Sequence, residues 1–120
     1  MKKFTKTHEW IDTETGYMGI TSHAQEKIGD IVFVDLPKVN AEAKKGEVLL
    51  SIESVKSTSD IYSPVSGKII EVNSKLDSKP ELVNESAENE GWIAKIQMTD
   101  KNDLNDLMDE KSYKEFCKND

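Results

Sequence analysis

Val48-Leu49-Leu50-Ser51-Ile52-Glu53-Ser54-Val55-Lys56-Ser57-Thr58-Ser59-Asp60-Ile61-Tyr62-Ser63-Pro64-Val65-Ser66-Gly67-Lys68-Ile69-Ile70-Glu71-Val72 is the stretch on which the fold turns. Val48, Leu50 and Ile52 lie on one face of a predicted strand while Ser51 and Glu53 point the other way, the period of a half-buried strand. Ile69 to Val72 begins a matching strand after Pro64 and Gly67. Between the two lies a polar tip, and Lys56 sits where a hairpin should reverse, flanked by small hydroxylated residues, its stem expected to project into solvent with little to pack against.

Outward from this stretch, short strands separated by turns recur. Trp10-Ile11 and Tyr17 to Thr21 read as a hairpin across Thr13-Glu14-Thr15-Gly16. Ser22 with Gln25 has capping-box spacing for a short helix that Gly29 ends. Ile31-Val32-Phe33-Val34, closed by Pro37, predicts a strand buried on both faces. Pro80 followed by Glu81-Leu82-Val83 predicts one helical turn with proline in its first position, and Asn84 to Gly91 a polar loop. Trp92, Ala94, Ile96 and Met98 alternate with Ile93, Lys95 and Gln97 as another half-buried strand. Thr99 or Asp100 can cap a turn carrying Leu104, Leu107 and Met108, and Ser112-x-x-Glu115 is a second capping box ahead of Phe116 and Cys117. The pattern predicts a small β-sandwich or barrel with peripheral helices.

Composition bounds the function. A chain of 120 residues predicts one domain, with a folded surface of roughly 6,500 Å² by size scaling. The lone cysteine, Cys117, removes any intrachain disulfide or cysteine-based zinc site and fits a reducing compartment. No apolar run reaches the ~18 residues of a membrane span. Acidic residues number 23 against 16 basic ones, all lysine, for a formal charge of -7. That balance argues against nucleic acid, which favours a basic face and the arginine fork, and points to basic protein partners. Without an apolar stretch after Lys2-Lys3, and with Glu9 and Asp12 arriving early, the start does not read as a targeting peptide, so the cytoplasm is expected.

A flexible amine on a rigid turn suits covalent attachment of a carrier group. The segment around Lys56 resembles the lipoyl-attachment site of the glycine cleavage system H proteins, and the resemblance runs along nearly the whole chain. His8-Glu9-Trp10, Gly19-Ile20-Thr21, Ala24-Gln25, Gly29 to Val34, Leu36-Pro37, Glu53 to Lys56, Ser59-Asp60, Pro64 to Gly67, Glu71-Val72-Asn73, Pro80 to Asn84 and Gly91-Trp92 read like that family in order. It implies a mainly β, barrel-sandwich hybrid fold with short peripheral helices. One lipoyl-carrier domain over 1–120 is expected, with a core over about 4–98 and a C-terminal helical segment over about 100–118.

The resemblance further implies lipoic acid amide-linked to Lys56, with Glu53, Ser54, Val55, Ser59 and Asp60 as the attachment context. It places Glu9 and Asp60 near the cleft where a loaded arm docks. The implied role is that of a monomeric, non-catalytic carrier shuttling the aminomethyl group of glycine. Its partners would be a pyridoxal-phosphate glycine decarboxylase, a tetrahydrofolate-dependent aminomethyltransferase, dihydrolipoyl dehydrogenase and lipoate-attaching enzymes. A lipoate-relay role toward other lipoyl proteins is the alternative. A biotin carrier is a third reading, but Val55 and Ser57 stand where that family has methionines.

Two departures matter: Asn40 stands where glycine is common, at a turn asparagine can also make, and Ser86-Ala87-Glu88-Asn89 replaces a stretch that usually holds proline and tyrosine. His8 and His23 are separated by the predicted hairpin and show no third ligand, so no metal site is expected. Cys117 reads as a packed or half-exposed thiol, with no base visibly supplied by either histidine. Trp10, Trp92 and Phe33 read as core residues.

Overall fold

The computed structural model describes residues 1–119. In chain order the elements are β1 (Lys2–Phe4), β2 (Glu9–Asp12), β3 (Tyr17–Ile20), α1 (Ser22–Ile28), β4 (Ile31–Asp35), β5 (Glu42–Ala43), β6 (Val48–Ser54), β7 (Thr58–Tyr62), β8 (Gly67–Val72), α2 (Lys75–Ser78), α3 (Glu81–Ser86), β9 (Ala94–Met98), a 3₁₀ turn (Lys101–Leu104) and α4 (Glu110–Lys118). The accessible surface, 6658 Å², agrees with the size scaling.

The strands form two antiparallel sheets, ordered β1-β2-β3-β9-β8-β5 and β4-β6-β7. They are sandwich-like and do not close into a barrel. Ile11, Met18, Ile20, Ile69 and Ile96 of the larger sheet and Val34, Leu50, Ile52 and Ile61 of the smaller share one core. The two strands of the opening stretch, β6 and β8, therefore belong to different sheets. Strand β7, which the polar composition of Thr58-Ser59-Asp60 had concealed in the tip, is the hairpin partner of β6. A second cluster, Phe4, Trp10 and Tyr113, fastens α4 to the outer face of the larger sheet, with the Phe4 and Tyr113 rings stacked at 4.6 Å.

Several local expectations need correction. Ile31 to Val34 is not buried on both faces: the register shifts between Ile31 and Phe33, and Val32 and Phe33 are left 53% and 45% exposed. Phe33 is therefore not a core residue, whereas Trp10 is buried and half-buried Trp92 packs edge-on against Tyr17. A shift between Val48 and Leu50 likewise turns Val48 out of the face shared by Leu50 and Ile52.

Helix α1 is capped by Thr21, whose hydroxyl accepts from the Ala24 N–H at 3.1 Å, not by Ser22. Helix α4 is capped by Asp109, whose carboxylate accepts from Ser112 N–H, so Ser112 lies inside the helix and not at its start. Pro80 is the N-cap of α3 and not its first residue. Asp100 does cap the 3₁₀ turn, and Asn40 does take the left-handed conformation, at φ 76°.

Candidate functional site

The β6–β7 hairpin reverses through Val55, Lys56 and Ser57. Ser54 builds the turn. Its N–H donates to the Ser57 carbonyl at 2.8 Å, and its hydroxyl oxygen accepts from the N–H groups of Lys56 and Ser57 at 3.3 and 3.1 Å. A small hydroxyl residue here thus pins a three-residue reversal whose own side chains are exposed, Val55 by 70%.

The tip leans on the turn that ends α1. Val55 N–H donates to the Asp30 carbonyl at 3.0 Å. Gly29, at φ 90° and ψ -160°, lies under the Lys56 side chain so closely that a Cβ there would sit 3.1 Å from Lys56 Cε and 3.6 Å from Nζ. The stem expected to find little to pack against therefore lies over a glycine, while the residue stays exposed. Asn84 holds this supporting turn in place: its Oδ1 accepts from Ile31 N–H at 3.0 Å and from Gln25 Nε2 at 3.2 Å, and its Nδ2 donates to the Ile31 carbonyl at 3.3 Å. Sequence reasoning missed Gly29, Asp30 and Asn84 as parts of the site, because they meet the tip only through tertiary packing.

The remaining residues of the expected attachment context lie along the two strands of the hairpin. Glu53 lies opposite Thr58, Ser59 opposite Ile52, and Asp60 opposite Ser51; Glu53 and Asp60 are exposed. Glu9 stands apart, 1% exposed at the start of β2. Its Oε1 accepts from the hydroxyls of Thr5, at 2.7 Å, and Thr7, and its Oε2 accepts from Tyr62 N–H at 3.3 Å at the far end of β7. Burial pushes its carboxyl above the ordinary range, against these hydrogen bonds, which favour the charged form.

The divergent segment after α3 packs inward. The Ala87 carbonyl accepts from Trp10 Nε1 at 3.0 Å, the Glu88 carbonyl from Lys2 Nζ, and the Glu88 carboxylate from Ser22 N–H at 2.9 Å.

The structure also overturns the expectation that His8 and His23 lack a third donor. One ring nitrogen of each and the Cys117 sulfur lie within 4.8 Å of one another, because α4 folds back over the β1–β2 turn. The two rings sit 4.8 Å apart. Cys117 is half-buried, as its position beside Phe116 had suggested, but imidazole lies beside it after all.

No described helix is long and apolar enough to cross a membrane. The family model described as glycine cleavage H-protein matches residues 2–120. A glycine cleavage system H protein of Thermotoga maritima is 58% identical over 119 residues, covering 98% of this chain and 96% of the relative. One from Coprothermobacter proteolyticus is 51% identical over 117 residues, covering 95% and 92%. The crystal structure of a glycine cleavage system H protein from Mycobacterium marinum matches with a TM-score of 0.83 at 35% identity, over 93% of this chain and 92% of that one. With a whole-length family match, close relatives and a shared fold, the chain belongs to the glycine cleavage H-protein family.

Proposed function

We propose that this protein is a cytoplasmic, non-catalytic carrier that holds lipoic acid in amide linkage on Lys56. The observation that carries the reading is the tip itself: an exposed lysine on a reversal fixed by Ser54, whose stem rests on a glycine that leaves room for it. Among 16 lysines it is the one set at the reversal of the β6–β7 hairpin. When bound, the dithiolane supplies thiol–disulfide chemistry and a sulfur able to carry a one-carbon amine fragment between enzymes.

The chain's own contribution is mechanical and electrostatic. Ser54 and Asp30 hold the tip so that an attaching enzyme meets Lys56 Nζ in one orientation. Asp60 stands exposed on β7 and is the carboxylate placed to meet a cationic load near the arm. Buried Glu9 acts behind it, tying the base of β7 to the Thr5–Thr7 turn. The partners are then the decarboxylase, the aminomethyltransferase, dihydrolipoyl dehydrogenase and a lipoate-attaching enzyme.

Intact mass and peptide mapping of protein from its native cell test the assignment. One lipoyl group on the Lys56 peptide is expected, and Lys56→Arg should fold normally and carry none, since arginine offers no amine for amide formation. A lipoyl group on another lysine, or a biotin on Lys56, would overturn the reading.

A further inference from the structure

We propose that His8, His23 and Cys117 form a binding site for one soft-to-borderline divalent transition metal, with Zn²⁺ as its natural class of occupant. The three donors come from the β1–β2 turn, α1 and α4, segments far apart in sequence. Two imidazoles and a thiolate are a zinc donor set. Metal–ligand bonds of about 2.0–2.3 Å need the donors roughly an ångström closer than their present 4.8 Å limit, which is within side-chain rotation.

Two further features orient the site. His8 is one of only two non-glycine residues among those described with a positive φ, 71°, and this backbone conformation turns its ring toward α4. Its Nδ1 lies 2.7 Å from the Tyr113 hydroxyl, which in turn lies 2.6 Å from the hydroxyl of Thr21. Metal binding at Nε2 would select the His8 tautomer in which Nδ1–H donates to the Tyr113 hydroxyl. A second hydrogen bond of this kind aims a ligating imidazole.

A cleft of about 260 Å³, lined by His23, Glu88, Tyr113 and Cys117 among others, opens beside the donors and offers an entry path and room for a water as fourth ligand. Binding forms a zinc–sulfur bond and releases the thiol proton to solvent. The ion would staple α4 to both α1 and the β1–β2 turn that leads into Glu9.

The test uses the full chain with Lys56 unmodified, so that Cys117 is its only thiol. Zn²⁺ is titrated calorimetrically, and Co²⁺ is followed by absorption. The expected result is one saturable site per chain, the intense near-ultraviolet band of a thiolate bound to Co²⁺, and protection of Cys117 from alkylation by Zn²⁺. Cys117→Ser and His23→Gln should each weaken binding by at least about tenfold. The cobalt band and the alkylation rate need only the parent chain, so they decide the matter even if a variant unfolds. Absence of the band, zinc-independent alkylation, or parent affinity in either folded variant would overturn the proposal, because binding would then rest on surface carboxylates.

Discussion

At Gly29 one missing methyl group connects backbone geometry to the proposed carrier role. Its φ of 90° with ψ of -160° is a region open essentially to glycine alone, and its bare Cα is what lets Lys56 lie across it. Gly29→Ala should cost about 1–3 kcal/mol in urea unfolding and also slow lipoate attachment, since a Cβ 3.1 Å from Cε forces the lysine off its seat. Unchanged attachment kinetics in a folded variant would show that the seat is irrelevant to the enzyme. Glu9 supplies a second test at the same scale. Its carboxyl is shifted upward by burial, so the folded chain holds this proton to higher pH than the unfolded chain does. Its contribution is fully present below the ordinary glutamate range and is lost as pH rises through the raised value. Glu9→Gln should therefore gain stability relative to the parent between about pH 4 and about pH 7, measured by urea unfolding at each pH. A constant difference across that range would mean that the carboxyl is not shifted.

Among the elements, α1 shows how a correct pattern can be assigned to the wrong residue. Both Thr21 and Ser22 can cap a helix, and sequence spacing favoured Ser22 because of Gln25. The choice falls to Thr21 because its hydroxyl is also held by Tyr113 of α4, a contact 92 residues away, while Gln25 turns to Asn84. Thr21→Val should thus cost about 2 kcal/mol, from a lost cap of ~1 and a lost hydrogen bond to Tyr113 of ~1, and Thr21→Ser should restore most of it. Thermal or urea unfolding of the pair checks this, and a Ser variant as weak as Val would point to lost methyl packing instead. The same logic sorts what was legible. Alternation disclosed β6 and β9, the polar turn at Thr13 to Gly16 disclosed the hairpin of β2 and β3, and punctuation located β8, the tip and Lys56. Strands as short as β1 and β5 carry too few residues for a period, and the shifts at Ile31/Phe33 and Val48/Leu50 are decided by cross-strand pairing. The seat of Gly29, the Asn84 brace and the His8–His23–Cys117 cluster depend on contacts no local pattern encodes.

For the whole molecule, the formal charge of -7 is spread over a body with longest extents of 36 Å, several times the screening length of about 8 Å at physiological salt. Net charge therefore acts on an approaching enzyme mainly through the groups near the point of contact. Around Lys56 these are Asp30, Glu53 and Asp60, all exposed, on the turn that supports the tip and on the two strands that lead to it. A partner that reads this hairpin must present a basic face there, and its association should be steered by these carboxylates. The second-order rate constant for lipoate attachment to the unmodified chain should then fall about tenfold between roughly 0.01 and 0.5 M salt. Glu53→Gln with Asp60→Asn should lower the low-salt rate and flatten that dependence. Glu115→Gln on α4, which packs against β1 at the edge of the other sheet, changes the net charge by one but leaves the neighbourhood of the tip alone, and its salt dependence should match the parent's. If the rate does not respond to salt, or if Glu115→Gln flattens it as much as the double variant does, recognition depends on shape or on total charge and not on the acidic collar of the hairpin.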